Sequence, residues 1–322
     1  MTPPHPTTPA NDNPDWNKDL ISSLVRIGTH SLYLSISGPP RQPNTPVIIV
    51  FAGAGETTRS YPVVERLVSP FARILLYDRS GLGRSDDSPS RSTAATAAAE
   101  LNAALEVTGI HPPYIFIAHS YGAIVARELL HLRPDDVAGM VLAEASTERQ
   151  HLFFKIPDPN MLAVIGDLKV AQVTGLREES KLSREEWRAR GAEIARGVEA
   201  LRAEGESFGE VCETLAEKRQ FDRRVMGRRP VSVIRCNGKR DYERLYVKGV
   251  EVGNGTEEER RAFRELLDGW EEVDRGLKEE QMRLSSNCHL VHVPDCGHNV
   301  QLVRPDVIAQ EVRWVLENMV VE

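Results

Sequence analysis

The sequence has no long apolar run. A helix that crosses a bilayer needs about 20 consecutive apolar residues, and no such stretch occurs among the 322 residues. The N-terminal stretch MTPPHPTTPANDNPDW is rich in proline and lacks the apolar segment of a secretory signal. We therefore expect no membrane span, a disordered N-terminal tail over residues 1–20, and a cytoplasmic protein.

Cysteine is also scarce, and acidic residues outnumber basic ones, 47 to 40. The four cysteines, Cys212, Cys236, Cys288 and Cys296, do not have the spacing of a metal site, so we expect reduced thiols and neither a metal nor another cofactor. The formal net charge of −7 argues against nucleic acid or an anionic membrane as a partner. The chain length allows one large domain with an insertion, or two modest domains.

What is present is an alternation of short apolar strands, loops and helical segments. Residues 22–37 predict two strands around a turn. Further strands are predicted within residues 45–56, 71–86, 113–120, 137–146, 229–241 and 287–299, and helices over residues 92–109, 121–134 and 304–319. This order predicts an α/β fold with a mostly parallel, doubly wound sheet. In such sheets ligands bind at the carboxyl ends of the strands.

The pattern changes after Ser146. Residues 147–229 hold no strong strand and are dense in Arg and Glu, so we interpret them as a helical insertion, or lid, between two parts of the core, residues 21–146 and 230–322. A capping box of Ser183 and Glu186 predicts the start of one helix. The mixed charges of this region favour a solvated helix face.

Ser120 is the candidate nucleophile. It follows an apolar strand and precedes a helix in IFIAHSYGAIVA, which nearly matches G-x-S-x-G, with Ala118 at the first Gly position. A serine hydroxyl needs a base, and His298 lies in a loop between the last strand and the last helix. His119 precedes Ser120 and is expected to point away from it.

Two carboxylates are candidates for the acid that orients His298. Asp241 ends RCNGKRD after a predicted strand and is favoured, because this is the usual place of the acid in such folds. Glu144 ends the strand GMVLAE and stays as the alternative. For the oxyanion, the backbone N–H groups of Tyr121 and Ala54 are the expected donors.

The motifs, taken in order, resemble those of the α/β-hydrolase fold over about residues 22–320. FAGAGE is similar to its oxyanion loop, YDRSGLGRSD to its D-x-x-G-x-G-x-S segment, AHSYG to its nucleophile elbow, NGKRD to its acid segment and CGHNVQLVRPD to its histidine loop. The departures are Ala118, Ala52 where a His often precedes the oxyanion Gly, and the absence of Pro after Asp241. Some members of the family carry the acid after the preceding strand, as Glu144 would.

The resemblance implies a serine hydrolase with a Ser120–His298–acid triad and an acyl-enzyme. Phe153, Phe154 and Trp187 of the expected lid predict a small to medium apolar ester or lactone as the small-molecule substrate. Two alternatives stay open: a lyase of the same fold that cleaves a C–C bond or a cyanohydrin, and a non-catalytic binding protein with a vestigial triad.

Overall fold

The computed structural model describes residues 14–320, and these contain an eight-stranded sheet. Its strands are β1 (Ile21–Arg26), β2 (Ser31–Ser37), β3 (Val47–Phe51), β4 (Arg73–Tyr77), β5 (Tyr114–His119), β6 (Val137–Ala143), β7 (Val231–Cys236) and β8 (Cys288–Val293). Their order in the sheet is β1-β2-β4-β3-β5-β6-β7-β8. β1 and β2 form the predicted hairpin, β2 pairs antiparallel with β4, and all other pairs are parallel. The predicted mostly parallel α/β sheet is confirmed.

Fourteen α-helices accompany the sheet in the described residues. They are α1 (Pro62–Val68), α2 (Ala94–Thr108), α3 (Gly122–Leu132), α4 (Pro159–Ile165), α5 (Val170–Val173), α6 (Leu176–Glu179), α7 (Arg184–Arg196), α8 (Val198–Glu206), α9 (Phe208–Glu217), α10 (Gln220–Arg223), α11 (Gly238–Glu251), α12 (Glu257–Gln281), α13 (Val300–Val303) and α14 (Pro305–Glu317). Three short 3₁₀ turns, Thr58–Ser60, Gln150–Leu152 and Met282–Leu284, complete the set.

The strand β5 shows how the sheet is buried on both faces. Alternate residues of a strand point to opposite faces. Phe116 and Ala118 pack in one apolar cluster with α2, α3 and α9, whereas Ile115 and Ile117 pack in another with α1 and α14. Every residue of β3, β4 and β5 is buried, which explains why these strands read as continuous apolar runs.

Residues 147–229, all of them described, lie between β6 and β7 and contain helices and turns but no strand. The capping box of Ser183 and Glu186 begins α7. A second helical segment, α11 and α12 between β7 and β8, packs against α4 of the insertion around Val164, Phe263 and Leu267. Helices from both segments therefore cover the carboxyl edge of the sheet.

The tail expected over residues 1–20 does not extend over its last seven residues, while residues 1–13 lie outside the described part. Trp16 is buried in the core, and the guanidinium of Arg73 donates hydrogen bonds to its carbonyl oxygen at 2.8 and 2.9 Å. Asn17 is anchored as well, since its side-chain amide donates to the carbonyl oxygen of Gly109 at 3.0 Å. The proline content of the segment predicts disorder and does not reveal these contacts.

No helix in the range 14–320 combines the length and the apolar character that a membrane crossing requires. All four cysteines carry free thiols, as expected.

Candidate active site

Ser120 stands on a sharp turn between β5 and α3. Its φ of +50° is rare for a residue with a side chain, and such strain concentrates at functional turns. Gly122 permits the turn, because a Cβ there would lie 2.2 Å from the carbonyl oxygen of Phe51. Ala118, at the first Gly position of the motif, is fully buried in the core, so its methyl group is accommodated.

His298 is brought to Ser120. Its Nε2 lies 3.0 Å from the Ser120 Oγ, in the loop that joins β8 to α13. His289, a second histidine near the carboxyl end of the chain, lies within β8 and pairs with Glu311 at 2.5 Å. The His298 ring and the Ser120 hydroxyl thus lie within the hydrogen-bond distance over which a proton can be transferred.

Glu144, and not the favoured Asp241, lies against the His298 ring. The Glu144 Oε2 is 3.3 Å from Nδ1, whereas the Asp241 Oδ2 accepts a hydrogen bond from the His298 backbone N–H at 3.3 Å. The difference has a local cause. α11 begins at Gly238, immediately after β7, and therefore carries Asp241 in its first turn instead of on a loop. Glu144, with φ of +47°, turns toward the site directly after β6.

Glu144 is held as a carboxylate. Burial alone would raise its pKa, but the ammonium of Lys278, the hydrogen bond from His298 and the Cys236 backbone N–H together lower the pKa below its ordinary value. The Cys236 N–H donates to Oε1 at 2.5 Å, so the two oxygens face different partners. Burial raises the pKa of Asp241, although Arg240 opposes the shift.

Both expected oxyanion donors, Ala54 and Tyr121, line one cavity with Ser120 and His298. Within residues 14–320, neither of their backbone N–H groups has a hydrogen-bond acceptor. The neighbouring N–H groups are occupied, since Gly53 donates to the Tyr61 hydroxyl and Gly55 to Glu204. Free, fixed donors beside a nucleophile can stabilise a developing oxyanion.

The loop that carries Ala54 is held by buried charged residues, which charge patterning does not predict. Arg79 donates to the carbonyl oxygens of Ala52 and Gly53, both at 2.7 Å, and pairs with Glu204 at 2.6 Å. Glu193 of α7 accepts a hydrogen bond from the Thr57 hydroxyl at 2.8 Å. The expected solvated face is therefore wrong for Glu193 and Glu204, because both are buried against this loop.

The cavity beside Ser120 has a volume of about 160 Å³ and a largely apolar lining. Besides Tyr121, its aromatic residues are Phe154, Phe208, Tyr242 and Trp270. The Trp270 ring packs on Phe154 and Tyr242, with centroid separations of 4.6 and 4.7 Å. Tyr242 and Trp270 belong to α11 and α12, within the predicted core region 230–322, and neither is among the predicted site residues.

Of the three predicted substrate-contacting residues, Phe154 alone lines this cavity. Phe153 is exposed and lies near Arg149, whose guanidinium carbon is 5.8 Å from the ring centroid. Trp187 packs on the core cluster of α1 and α14, and its ring lies near Arg190. Helical spacing predicts that Trp187 is directed inward, but not which of the inward-facing rings surround a cavity.

Comparison with known proteins gives one family. The model of the Alpha/beta hydrolase family matches residues 48–311. An "AB hydrolase superfamily protein" of Gibberella zeae is 34% identical over 315 residues, which are 94% of this chain and 96% of that protein.

A second relative is larger. The "Probable transporter efuK" of Hormonema carpetanum is 33% identical over 301 residues, which are 91% of this chain but 42% of that protein. Among solved structures, the 2-hydroxy-6-oxo-6-phenylhexa-2,4-dienoate hydrolase of a Rhodococcus species has a TM-score of 0.61 at 14% identity, covering 93% of this chain and 99% of that one. At that identity the likeness shows a shared fold.

Proposed function

Since this chain belongs to the alpha/beta hydrolase family, we propose that it is a serine hydrolase that cleaves an ester or lactone of a small to medium apolar compound. The observation that carries the proposal is the line of contacts from Ser120 Oγ to His298 Nε2 at 3.0 Å and from His298 Nδ1 to Glu144 Oε2 at 3.3 Å. This is the arrangement that activates a serine hydroxyl.

The first half of the reaction forms an acyl-enzyme. His298 Nε2 takes the Ser120 proton while Oγ attacks the carbonyl carbon, and the Ala54 and Tyr121 N–H groups hold the resulting oxyanion. The Glu144 carboxylate keeps the other proton on Nδ1 and stabilises the imidazolium. Collapse of the tetrahedral species breaks the C–O bond, and His298 returns its proton to the leaving alcohol.

The second half reverses these roles with water. His298 takes a proton from a water molecule, whose oxygen attacks the acyl carbon of the ester on Ser120. The acid is released and the proton returns to Ser120 Oγ. In a lactone the alcohol and the acid are the two ends of one product.

The cavity supports a compact apolar acyl group. Its volume of about 160 Å³ fits a group of about one aromatic ring, and small-molecule sites are typically apolar with few polar groups. The proposal includes a cytoplasmic location, which the four free thiols support.

Turnover of p-nitrophenyl acetate, butyrate and benzoate, with Ser120→Ala as control, tests the proposal. We expect wild-type turnover and loss of it in the variant. Reactions in ¹⁸O-labelled water should place one label in the acid product. A carbonyl product without label would favour a lyase, and the absence of turnover on esters and lactones would favour a binding protein.

Trp270→Ala is expected to weaken binding of aromatic acyl groups. Removing the ring takes away an apolar wall of the cavity, so the KM for p-nitrophenyl benzoate should rise about tenfold, which corresponds to about 1.4 kcal/mol. The KM for the acetate should change little. Trp187→Ala is the matched control, since its ring lies outside the cavity lining. An equal rise in both variants would contradict this assignment of the pocket.

A further inference from the structure

His119 is a buried histidine that the proposed reaction does not use. It is the last residue of β5, next to Ser120, and is 2% exposed. Because side chains alternate along a strand, it points to the sheet face opposite that of Ala118. There its ring meets two loops of the candidate site.

Each ring nitrogen of His119 faces a different loop. Nε2 lies 3.0 Å from the backbone carbonyl oxygen of His298. Nδ1 lies 3.3 Å from Glu56 Oε2 and 3.3 Å from the Tyr61 hydroxyl. A carbonyl oxygen can only accept, so Nε2 carries the proton of its hydrogen bond. Tyr61 donates to Glu56 at 2.9 Å.

Both backbone polar groups of His298 are thereby anchored by side chains. The Asp241 carboxylate accepts from its N–H at 3.3 Å, and His119 donates to its carbonyl at 3.0 Å. The rings of His119 and His298 also lie close, with centroids 5.1 Å apart. A base held from two sides keeps its imidazole in register with Ser120 Oγ.

The contacts of His119 to the His298 carbonyl and to Glu56 form a bridge between two loops. Its second end, at Glu56, reaches the loop that carries Ala54, the expected oxyanion donor. Glu56 lies two residues after Ala54 and accepts hydrogen bonds from Arg190 and Gln301, both at 3.0 Å. A Cβ at Gly53 would lie 2.9 Å from His119 Nδ1, so the loop packs directly on the ring. One side chain therefore fixes the spacing between the base loop and the oxyanion loop.

We infer that His119 is a positioning residue for the reaction at Ser120, and that it acts through its hydrogen bond to the His298 carbonyl. The inference rests on the proposed function. It assigns a role to the second residue of the A-H-S-Y-G turn, beyond filling space beneath the nucleophile.

Two substitutions separate this role from a structural one. The side-chain nitrogen of Gln can occupy the place of Nε2, and that of Asn the place of Nδ1. His119→Gln therefore keeps a donor for the His298 carbonyl, whereas His119→Asn loses it and keeps a contact with Glu56. Both variants put a neutral amide into the same buried space, so they should have similar melting temperatures.

We expect His119→Asn to lower kcat for p-nitrophenyl acetate by about 10- to 100-fold, as small misplacements of catalytic groups do. Its KM should stay within about twofold, and His119→Gln should retain kcat within about threefold on the same argument. Hydrogen–deuterium exchange of residues 295–299 should be faster in the Asn variant than in the Gln variant.

Equal losses of kcat in the two variants, or losses that follow the melting temperature, would overturn the inference. So would a change confined to KM. If the wild-type protein turns over no ester, the proposed function fails, and the exchange measurement still decides: equal protection of residues 295–299 in both variants rejects the bridge by itself.

Discussion

Glu144→Gln is expected to lower kcat for ester hydrolysis by about 10³- to 10⁴-fold, the size of the effect when a triad acid becomes an amide. The variant should fold, because Gln fills the same volume as Glu and the buried Lys278 keeps its ion pair with Asp274 at 3.4 Å. Steady-state kinetics on p-nitrophenyl acetate, together with the melting temperature, measure the effect.

The expected loss of kcat follows from the different partners of the two Glu144 carboxylate oxygens. The Cys236 backbone N–H donates to the Glu144 Oε1, so in the variant the amide oxygen takes that place. The amide NH₂ then faces His298 Nδ1 and donates to it. The imidazole proton moves to Nε2, which points at Ser120 Oγ and can no longer accept its proton.

Asp241→Asn is the matched control. The amide oxygen of Asn can still accept the His298 backbone N–H, which is the contact that Asp241 makes. We expect less than about a tenfold loss of kcat, because the orienting carboxylate on Nδ1 is intact. A larger loss in Asp241→Asn than in Glu144→Gln would contradict Glu144 as the triad acid and return that role to Asp241.

Glu56→Gln is expected to lower the free energy of unfolding at pH 7 by about 3–5 kcal/mol, the range for removing one partner of a buried charge pair. The Glu56 carboxylate accepts hydrogen bonds from Tyr61, Arg190 and Gln301 and faces His119. An amide cannot accept from all of them, so buried donors are left unpaired. Urea denaturation measures the loss.

The difference in the free energy of unfolding between wild type and Glu56→Gln should become smaller as the pH falls. Burial alone would raise the pKa of Glu56, but His119 and Arg190 lower it well below the ordinary value of 4.5. A carboxyl whose pKa is lower in the folded state stabilises that state above its unfolded pKa. The contribution is therefore full at neutral pH and is lost as the pH falls below about 4.5 toward the folded pKa.

Glu185→Gln serves as the control for Glu56→Gln, since Glu185 is exposed on α7. It should leave the free energy of unfolding nearly unchanged at every pH. If the two variants behave alike, or if the effect of Glu56→Gln grows on acidification, the buried network does not stabilise the protein in the way described.

The order of elements could be predicted from the sequence because each buried strand reads as a continuous apolar run and each parallel connection carries a helix. Ser120 and His298 could be found for a related reason. Both stand in short loops at the carboxyl ends of strands, where the fold leaves little freedom of placement.

The acid could not be decided in the same way. Asp241 and Glu144 both follow strands, and the choice depends on whether β7 is followed by a loop or at once by a helix. Asn237 caps α11 by accepting the Arg240 N–H, which starts the helix directly after the strand. Asn is a common N-cap residue, so Asn237 is the sequence signal that favours a helix start there and disfavours Asp241 as the triad acid.

The residues that line the cavity could not be predicted from the sequence. Trp187 and Trp270 both lie on amphipathic helices, and periodicity shows only that each side chain is directed inward. Which one borders the cavity follows from how α4, α11 and α12 pack over the sheet. In the same way, charge density could not separate Glu204, buried on Arg79, from the exposed Glu199 of the same helix.

The central claim is that Ser120 is an activated nucleophile. Reaction of the wild-type protein with a fluorophosphonate probe, followed by mass spectrometry of the digested adduct, tests it most directly. We expect one probe molecule per chain, on the peptide that contains Ser120, and no labelling of Ser120→Ala. Labelling that persists in Ser120→Ala, or a wild-type protein that the probe leaves unmodified, would contradict it.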